Sequence, residues 1–238
     1  MGFFSPEIGI DLGTNNVLFY VANKGIVLRE PSLVIVSGGE KRIVQAVGEE
    51  ARQLLGRMPQ GFRAIWPIRE GVIADFDLAA SMLRYFIRRA LGVNYLGKPR
   101  TVLTIPAGVT SMERRAHEEA LLRAGGKLSY IVEGAIASAL GCGLPVYEPQ
   151  GSMIVSIGGG TTEIAVVSLG AAVVGKTLRI GGNAMDAAIA AYVKKEKNLL
   201  IGDRTAEDIK IDLGSAMAPV ETQKAMMRGR DVVTGLPR

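Results

Sequence analysis

Two short turns built from glycine and polar residues most constrain what this chain can fold into. The first, Gly13-Thr14-Asn15-Asn16, follows the apolar segment 8–12, and the second, Gly158-Gly159-Gly160-Thr161, follows the apolar segment 153–157. Apolar segments also follow both turns, so each turn is predicted to join two strands. Glycine lets the backbone approach an anion closely, and the N–H groups of such turns bind phosphate. Two facing turns of this kind would hold the phosphates of a nucleotide.

The residues just before the two turns differ in charge. Asp11 precedes the first turn, where its carboxylate suits a hydrated Mg²⁺ beside the phosphates. The equivalent residue before the second turn is Ser156, a neutral hydroxyl. The pair of turns therefore predicts a phosphate site with one carboxylate where a symmetric arrangement has two.

The composition favours a folded α/β protein and argues against several functional classes. Of the 238 residues, 48% are hydrophobic and only 5% are aromatic, which is typical of an α/β core. The net charge of +5 is spread along the chain without a basic block interleaved with aromatic residues, so no nucleic-acid partner is predicted. The single cysteine, Cys142, and the single histidine, His117, argue against disulfides and zinc. We expect Cys142 to be buried and His117 to lie on the surface.

The apolar periodicity predicts strands and helices in alternation around both turns, and hence a duplicated α/β architecture. Strands are predicted within 8–37 (the third at 32–36) and at 43–47, 101–105, 153–157, 164–169, after Gly170 and at 226–233. Helices are predicted at 49–55, 77–91, 112–124, 132–141 and 185–195. Thr110 with Glu113, and Thr205 with Asp208, are predicted to cap helices.

Residues 170–177 match the P-loop pattern GxxxxGK[ST], with Lys176 as its lysine. That pattern binds phosphate only between a strand and a helix. Here β-branched residues precede the lysine and Gly181 follows closely, so a strand hairpin is favoured over a P-loop.

Five segments give the chain a resemblance to a known family. They are residues 10–16, 25–32, 71–76, 199–210 and 229–237. With them the chain resembles the MreB family of bacterial actins, within the actin and heat-shock-chaperone ATPase superfamily, over nearly its whole length. Together these segments are more specific than either turn alone.

The resemblance implies an actin-like (ribonuclease H-like) α/β fold, duplicated as two halves around a nucleotide cleft and incomplete at the C-terminus. Residues 1–140 would form the first half, with an inserted subdomain at 31–66. Residues 141–238 would form part of the second half, with an inserted subdomain at 182–238.

The resemblance also implies a site for ATP and Mg²⁺, with Asp11 holding the metal through water. The residues that it assigns to the nucleotide are Gly13, Thr14, Asn15, Asn16, Gly158, Gly159, Gly160, Thr161, Gly182, Glu207, Asp208, Ile209 and Lys210. Without the resemblance, 207–210 is an ordinary capped helix with an exposed ion pair.

Three positions depart from the family's carboxylates. They are Ser156, Gly134 (where the family has the second acid of a Glu-Glu-Pro run) and Asn183. ATP hydrolysis needs an oriented water, so we expect a weak or absent ATPase with no confident catalytic residue. Glu133 could substitute, although helical spacing would point it away from position 134.

The resulting hypothesis is an ATP-binding, filament-forming cytoskeletal protein that organises cell shape at the inner face of the membrane. Its expected partners are further copies of itself, intact relatives, membrane-bound shape or cell-wall proteins and the membrane surface. Membrane contact is expected at Phe3, Phe4, Tyr95 and Leu96, although Phe3 and Phe4 could instead pack on the domain's own core. The alternative is a catalytically silent paralogue or fragment that regulates an intact relative, and a chaperone-type ATPase is less favoured.

Overall fold

The computed structural model describes residues 6–39, 42–92, 95, 97–217 and 223–238. Within these residues the chain forms two compact units, a first that ends at Arg179 and a second that spans Ile180–Arg238. The division into actin-like halves near residue 140, and the inserted subdomains at 31–66 and 182–238, stay predictions.

The described part of the first unit holds thirteen strands and four helices. In chain order they are β1 (Glu7–Leu12), β2 (Asn16–Val21), β3 (Gly25–Pro31), β4 (Val34–Ser37), β5 (Ile43–Val47), α1 (Glu49–Leu54), β6 (Phe62–Ile65), β7 (Ile68–Arg69), β8 (Val72–Ile73), α2 (Phe76–Leu91), β9 (Arg100–Ile105), α3 (Ser111–Ala124), β10 (Lys127–Glu133), α4 (Gly134–Gly141), β11 (Ser152–Ile157), β12 (Thr162–Ser168) and β13 (Ala171–Leu178).

The main sheet has the strand order β10-β9-β1-β2-β3. β1, β2 and β3 are joined by tight turns and pair antiparallel, whereas β9 and β10 arrive through helices and run parallel to β1. The apolar face of α2 packs on this sheet, with Phe86 against Phe19 at a ring-centroid distance of 5.9 Å. Asp75 caps α2 by accepting a hydrogen bond from the N–H of Leu78 at 3.2 Å. This core fixes the carboxyl ends of β1 and β9 at one edge of the sheet.

The second sheet repeats the first hairpins of the main sheet, with the order β11-β12-β13 and antiparallel pairing throughout. α4 covers its inner face, where Ala135 and Ala139 pack on Ala165 and Val167. A smaller sheet, β5-β4-β6, packs on α1, and β7 and β8 form a separate hairpin.

The second unit is described by two helices and a pair of short strands. They are α5 (Gly182–Lys197), β14 (Leu199–Leu200), α6 (Asp203–Leu213) and β15 (Arg230–Asp231). Among its described residues, the buried hydrophobic side chains are those of Val193, Leu199 and Ala206. The unit therefore has a small core.

The P-loop pattern is part of a strand hairpin, as the residues favoured. Lys176 and Thr177 lie inside β13, where Lys176 is exposed and pairs with Ile164. No helix starts directly after them, so these residues lack the helix N-terminus at which a P-loop binds phosphate.

Two predictions of burial are wrong. His117 is completely buried, because it lies in line with Ala120, Leu121 and Ala124 on the face of α3 that packs against α2. Cys142 is exposed, because α4 ends at Gly141 and the buried face of that helix is completed by Ala135 and Ala139 instead.

Several predicted elements also differ from the structure. Residues 25–37 form two strands rather than one at 32–36, and residues 132–133 complete β10 before α4 begins. Thr205 lies inside α6, whose N-cap is Gly202, so it caps nothing. Of the predicted strand 226–233, only Arg230 and Asp231 are paired in a strand, because Asp231 accepts hydrogen bonds from the N–H groups of Val233 and Thr234 and turns the chain.

Candidate nucleotide cleft

The two glycine turns have the same construction. The last strand pairs before them are Leu12 with Val17 and Ile157 with Thr162, so each turn inserts four residues into a hairpin. In each turn the N–H of the first glycine donates to the carbonyl of the fourth residue, at 3.1 Å for Gly13 and 2.8 Å for Gly158. The predicted duplication of the turns is therefore present down to the backbone hydrogen bonds.

The tips of the two turns lie against each other. A Cβ atom added to Gly160 would come within 2.5 Å of the Thr14 hydroxyl oxygen, and one added to Gly159 within 2.4 Å of the Asn15 side chain. Such distances are well inside van der Waals contact, so both positions require glycine for this approach. The contact brings two segments that are distant in sequence to one place.

A cavity of about 430 Å³ lies at this contact, entirely within the first unit. Its walls come from the ends of β1, β9, β11 and β12, from both turns and from α4. The predicted site residues that line it are Asp11, Gly13, Thr14, Asn15, Asn16, Gly134, Ser156, Gly158, Gly159, Gly160 and Thr161. Its volume lies within the range of small-molecule binding sites.

Gly71 connects the turns to the hairpin of β7 and β8. Both residues of the hairpin turn, Glu70 and Gly71, have positive φ angles (50° and 76°), as a type I′ turn requires. The N–H of Gly71 donates to the hydroxyl of Thr14 at 3.0 Å, and a Cβ at Gly71 would lie 2.6 Å from Pro106 and 3.1 Å from Thr161. A hydroxyl that accepts a hydrogen bond still has its own proton to donate, so Thr14 remains able to donate to a phosphate.

Asp11 lies at the carboxyl end of β1, where it is exposed and faces the cavity. The hydroxyl of Thr104 on β9 donates to one of its oxygens at 2.6 Å, which fixes the orientation of the carboxylate. No cluster of three or more metal-binding side chains occurs in the described residues. A single oriented carboxylate fits Mg²⁺, which keeps several waters and binds one or two carboxylates together with substrate phosphates.

Glu163 is a cleft residue that the sequence analysis missed. It lies in β12 directly opposite Ser156 on β11, its side chain is buried, and it lines the cavity. The N–H groups of Ala107 (3.4 Å to Oε2) and Ala135 donate to its carboxylate. Burial raises the pKa of Glu163, and the negative charges of Asp11 and Glu133 raise it further against these hydrogen bonds. The sequence did contain a signal for the burial of Glu163. Side chains of a strand alternate between its two faces, and position 163 shares a face with the buried Ala165 and Val167.

Gly134 is the first residue of α4 and lies against the side chain of Glu163. A Cβ atom at Gly134 would lie 3.1 Å and 3.3 Å from the two oxygens of the Glu163 carboxylate. The structure thus places two of the three predicted departures, Ser156 and Gly134, next to the same carboxylate. The third, Asn183, is exposed in α5 of the second unit.

Comparison with known proteins decides the family. The family model of MreB/Mbl proteins matches residues 5–238. The chain belongs to the MreB/Mbl family. The cell shape-determining protein Mbl of Bacillus subtilis is 45% identical over 235 residues, which cover 99% of this chain and 70% of that protein. The cell shape-determining protein MreB of Escherichia coli K12 is 45% identical over 241 residues, which cover 100% of this chain and 70% of that protein.

Solved structures of other proteins share the fold of this chain. MreB5 of Spiroplasma citri bound to AMPPNP is 37% identical and superposes with a TM-score of 0.91 over 100% of this chain and 71% of that chain. The MamK double helical filament is 18% identical and superposes with a TM-score of 0.77 over 98% of this chain and 72% of that chain. At this identity the match shows the fold alone. The predicted actin-like α/β fold is confirmed.

The predicted site residues of the second unit lie near one another in that unit. Gly182 begins α5, and residues 207–210 form a turn of α6. The ammonium group of Lys210 contacts both oxygens of Asp186 (2.7 and 2.9 Å) and the carbonyl of Gly182 (3.2 Å). Their roles toward a nucleotide stay predictions. The exposed ion pair expected within 207–210 is wrong, because Lys210 pairs with Asp186 instead.

Of the residues expected to contact a membrane, only Tyr95 is described, and it is half-buried. Phe3, Phe4 and Leu96 lie outside the described residues. In the part of the chain that the structure describes, no helix has both the length and the apolar character to cross a bilayer.

Proposed function

We propose that this member of the MreB/Mbl family binds ATP with Mg²⁺, assembles into filaments and organises cell shape at the inner face of the membrane. The observation that carries the proposal is the tip-to-tip contact of the two glycine turns over a cavity lined by Asp11. A phosphate chain bound there would accept hydrogen bonds from N–H groups of both turns. Binding would therefore tie two sheets together.

The nucleotide part of the proposal is supported by relatives. MreB5 of Spiroplasma citri has been solved bound to AMPPNP and bound to ADP, and both structures superpose on nearly the whole chain. Residues 13–16 and 158–161 would hold the phosphates, and Asp11 would hold Mg²⁺ through water. The helical turn at residues 207–210 would contact ribose and adenine, and Gly182 would lie near the nucleotide.

The cell-shape part of the proposal rests on family membership, since the curated relatives of Bacillus and Escherichia coli are named as cell shape-determining proteins. Self-association, intact relatives, membrane-bound shape or cell-wall proteins and the membrane surface are its proposed partners. The net charge of +5 favours contact with anionic lipid.

Co-sedimentation tests this function. The purified chain is centrifuged with and without Mg·ATP and with and without vesicles of anionic lipid, and nucleotide affinity is measured separately by titration. We expect micromolar nucleotide binding, pelleting that depends on nucleotide and further recovery with vesicles. A chain that binds no nucleotide and remains monomeric under all four conditions would disprove the proposal.

A catalytically silent paralogue that co-assembles with an intact relative is the second candidate function. It is favoured by Ser156 and Gly134, which leave two positions of the cleft wall without a carboxylate. Phosphate release under Mg·ATP separates the two candidates. Turnover by this chain at the rate of an intact relative would exclude the silent function.

A further inference from the structure

The two substitutions that would silence the cleft are neighbours of one buried carboxylate. Ser156 is the cross-strand partner of Glu163, and the Cα of Gly134 faces the Glu163 carboxylate so closely that a Cβ would come within 3.1 Å of it. Side chains directly opposite in an antiparallel pair have Cβ atoms about 4.5–5.5 Å apart. An acid at either position would therefore confront Glu163 at short range.

Like charges at such distances cannot all ionise, so a carboxylate flanked by acids is held protonated. In this chain the two flanking positions carry a hydroxyl and a hydrogen atom. The remaining acids that face Glu163 are Asp11 on β1 and Glu133 at the end of β10, and Arg29 is the cation that lines the same cavity. Glu163 is thus the carboxylate that lies closest to both substituted positions, opposite Ser156 and against the backbone of Gly134.

We propose that Glu163 is the catalytic base of this cleft, accepting a proton from the water that attacks the terminal phosphate of the bound nucleotide. The inference rests on the proposed nucleotide function. The water oxygen forms a bond to the terminal phosphorus, and the bond from that phosphorus to the bridging oxygen breaks. The electron pair of the broken bond leaves with the nucleoside diphosphate, and the proton of the water passes to Glu163.

The surroundings of Glu163 suit this role. The N–H groups of Ala107 and Ala135 hold the carboxylate in place, while its burial raises its pKa toward the range in which a base accepts a proton at neutral pH. Glu163 lines the same cavity as Asp11 and both glycine turns, where the nucleotide phosphates would bind. A water in that cavity would donate a hydrogen bond to the Glu163 carboxylate.

Single-turnover phosphate release from Mg·ATP tests the inference in the full chain. Glu163→Gln keeps the size of the side chain and removes its basicity, so we expect the rate constant to fall about 100-fold with ADP affinity unchanged within about twofold. Glu119→Gln is the matched control, since it removes an exposed acid of α3 outside the cavity, and it should retain the wild-type rate within about twofold. A Glu119→Gln rate that falls as far as that of Glu163→Gln would overturn the assignment.

Two further variants keep the test informative if Glu163→Gln does not fold. Glu163→Asp retains the charge but withdraws it by one methylene, and Gly134→Ala brings a methyl group to 3.1 Å from the carboxylate and displaces it. Both should slow phosphate release about 10-fold, and wild-type rates in both would overturn the proposal. The pH profile adds an independent readout, because the wild-type rate should fall in acid as Glu163 becomes protonated, whereas the residual rate of Glu163→Gln should lack that fall.

The outcomes also separate the two proposals. A wild-type chain that binds ATP without releasing phosphate disproves the role of Glu163 and leaves the proposed binding and assembly standing. A chain that binds no nucleotide disproves the proposed function itself.

Discussion

Gly160 shows at the scale of one residue how the cleft depends on an absent side chain. A Cβ there would lie 2.5 Å from the hydroxyl oxygen of Thr14 and 2.9 Å from its Cβ. These atoms cannot move far, because Thr14 is buried and accepts a hydrogen bond from the N–H of Gly71. The two turns would have to separate to admit even a methyl group. Gly141, which has open space around it at the end of α4, offers the matched control.

Gly160→Ala should weaken nucleotide binding about 10-fold, since overpacking a tight contact costs about 1–3 kcal/mol. Gly141→Ala should leave the affinity unchanged and add up to about 1 kcal/mol of stability. Titration with a fluorescent ATP analogue measures both. Equal affinities in the two variants would show that the turn contact does not position the phosphates.

His117 is the second residue with a measurable consequence. Its Nδ1 contacts the carbonyl of Glu113 at 2.8 Å, its Nε2 is buried without a hydrogen-bond partner, and burial lowers its pKa below the usual 6.5. The unfolded chain therefore takes up the proton first as the pH falls. The stability associated with neutral His117 is fully present above pH 6.5 and is lost as the pH falls from there through the folded-state pKa.

We expect the free energy of unfolding to fall below pH 6.5 by up to about 1.4 kcal/mol per pH unit from this group. His117→Leu removes the titrating group and keeps an apolar side chain of similar size, so its stability should be less sensitive to pH in that window. Urea unfolding at several pH values measures the difference between the two proteins, in which the shared carboxylate effects cancel. Parallel pH dependences would contradict this account.

At the scale of elements, helix starts separate what local sequence can predict from what it cannot. The same spacing occurs at Thr110 with Glu113 and at Thr205 with Asp208, yet only the first is a cap. The N–H of Glu113 donates to the Thr110 hydroxyl at 3.2 Å, and the N–H of Thr110 donates to the Glu113 carboxylate at 2.7 Å. α6 begins two residues before Thr205, so Thr205 lies inside the helix and cannot occupy the N-cap position that the pattern predicts.

Thr110→Ala should therefore destabilise the first unit by about 1 kcal/mol through loss of the cap. Thr205→Ala, the control in α6, should change stability by less than about 0.5 kcal/mol, because its hydroxyl caps no helix. Chemical unfolding followed by circular dichroism compares the two. A larger loss in Thr205→Ala would show that the Thr205 hydroxyl caps α6 after all.

β13 illustrates the same point for a functional motif. Lys176→Ala should leave nucleotide affinity unchanged within about twofold, because the lysine is exposed on a strand and no helix N-terminus lies behind it. Titration with ATP measures this directly. Abolished binding would restore the P-loop interpretation.

The sequence predicted the main elements and both turns because these follow from local apolar periodicity and glycine chemistry. It did not predict Glu163, since the side chain acquires its surroundings only when β12 pairs with β11 and α4 packs beside it. His117 and Cys142 were placed wrongly for the related reason that burial is decided by the partner of a helix face. The two glycine turns of the cleft could thus be predicted from the sequence. The buried carboxylate of Glu163 could not.

At the scale of the whole molecule, the two units differ in the amount of apolar surface that each buries. The first has an extended core around the main sheet, whereas the described part of the second buries only three hydrophobic side chains. Small units bury a smaller fraction of their surface and are correspondingly less stable.

We expect the second unit to unfold first. In hydrogen exchange at increasing urea, amides of α5 should lose protection at a lower concentration than amides of α2, while the fluorescence of Trp66 in the first unit remains native. Loss of protection in both helices at one urea concentration would show that the units unfold together.

The hydrogen bond from Gly71 to Thr14 links the exchange of one amide proton to the binding of a ligand in the cleft. The Gly71 amide belongs to a hairpin that is distant in sequence from both turns, yet it donates to the hydroxyl of Thr14, a residue expected to contact phosphate. A ligand that steadies Thr14 would slow the exchange of this single amide proton. Gly71 is thereby a native, label-free probe with which nucleotide occupancy can be followed, one proton at a time, in the unmodified protein.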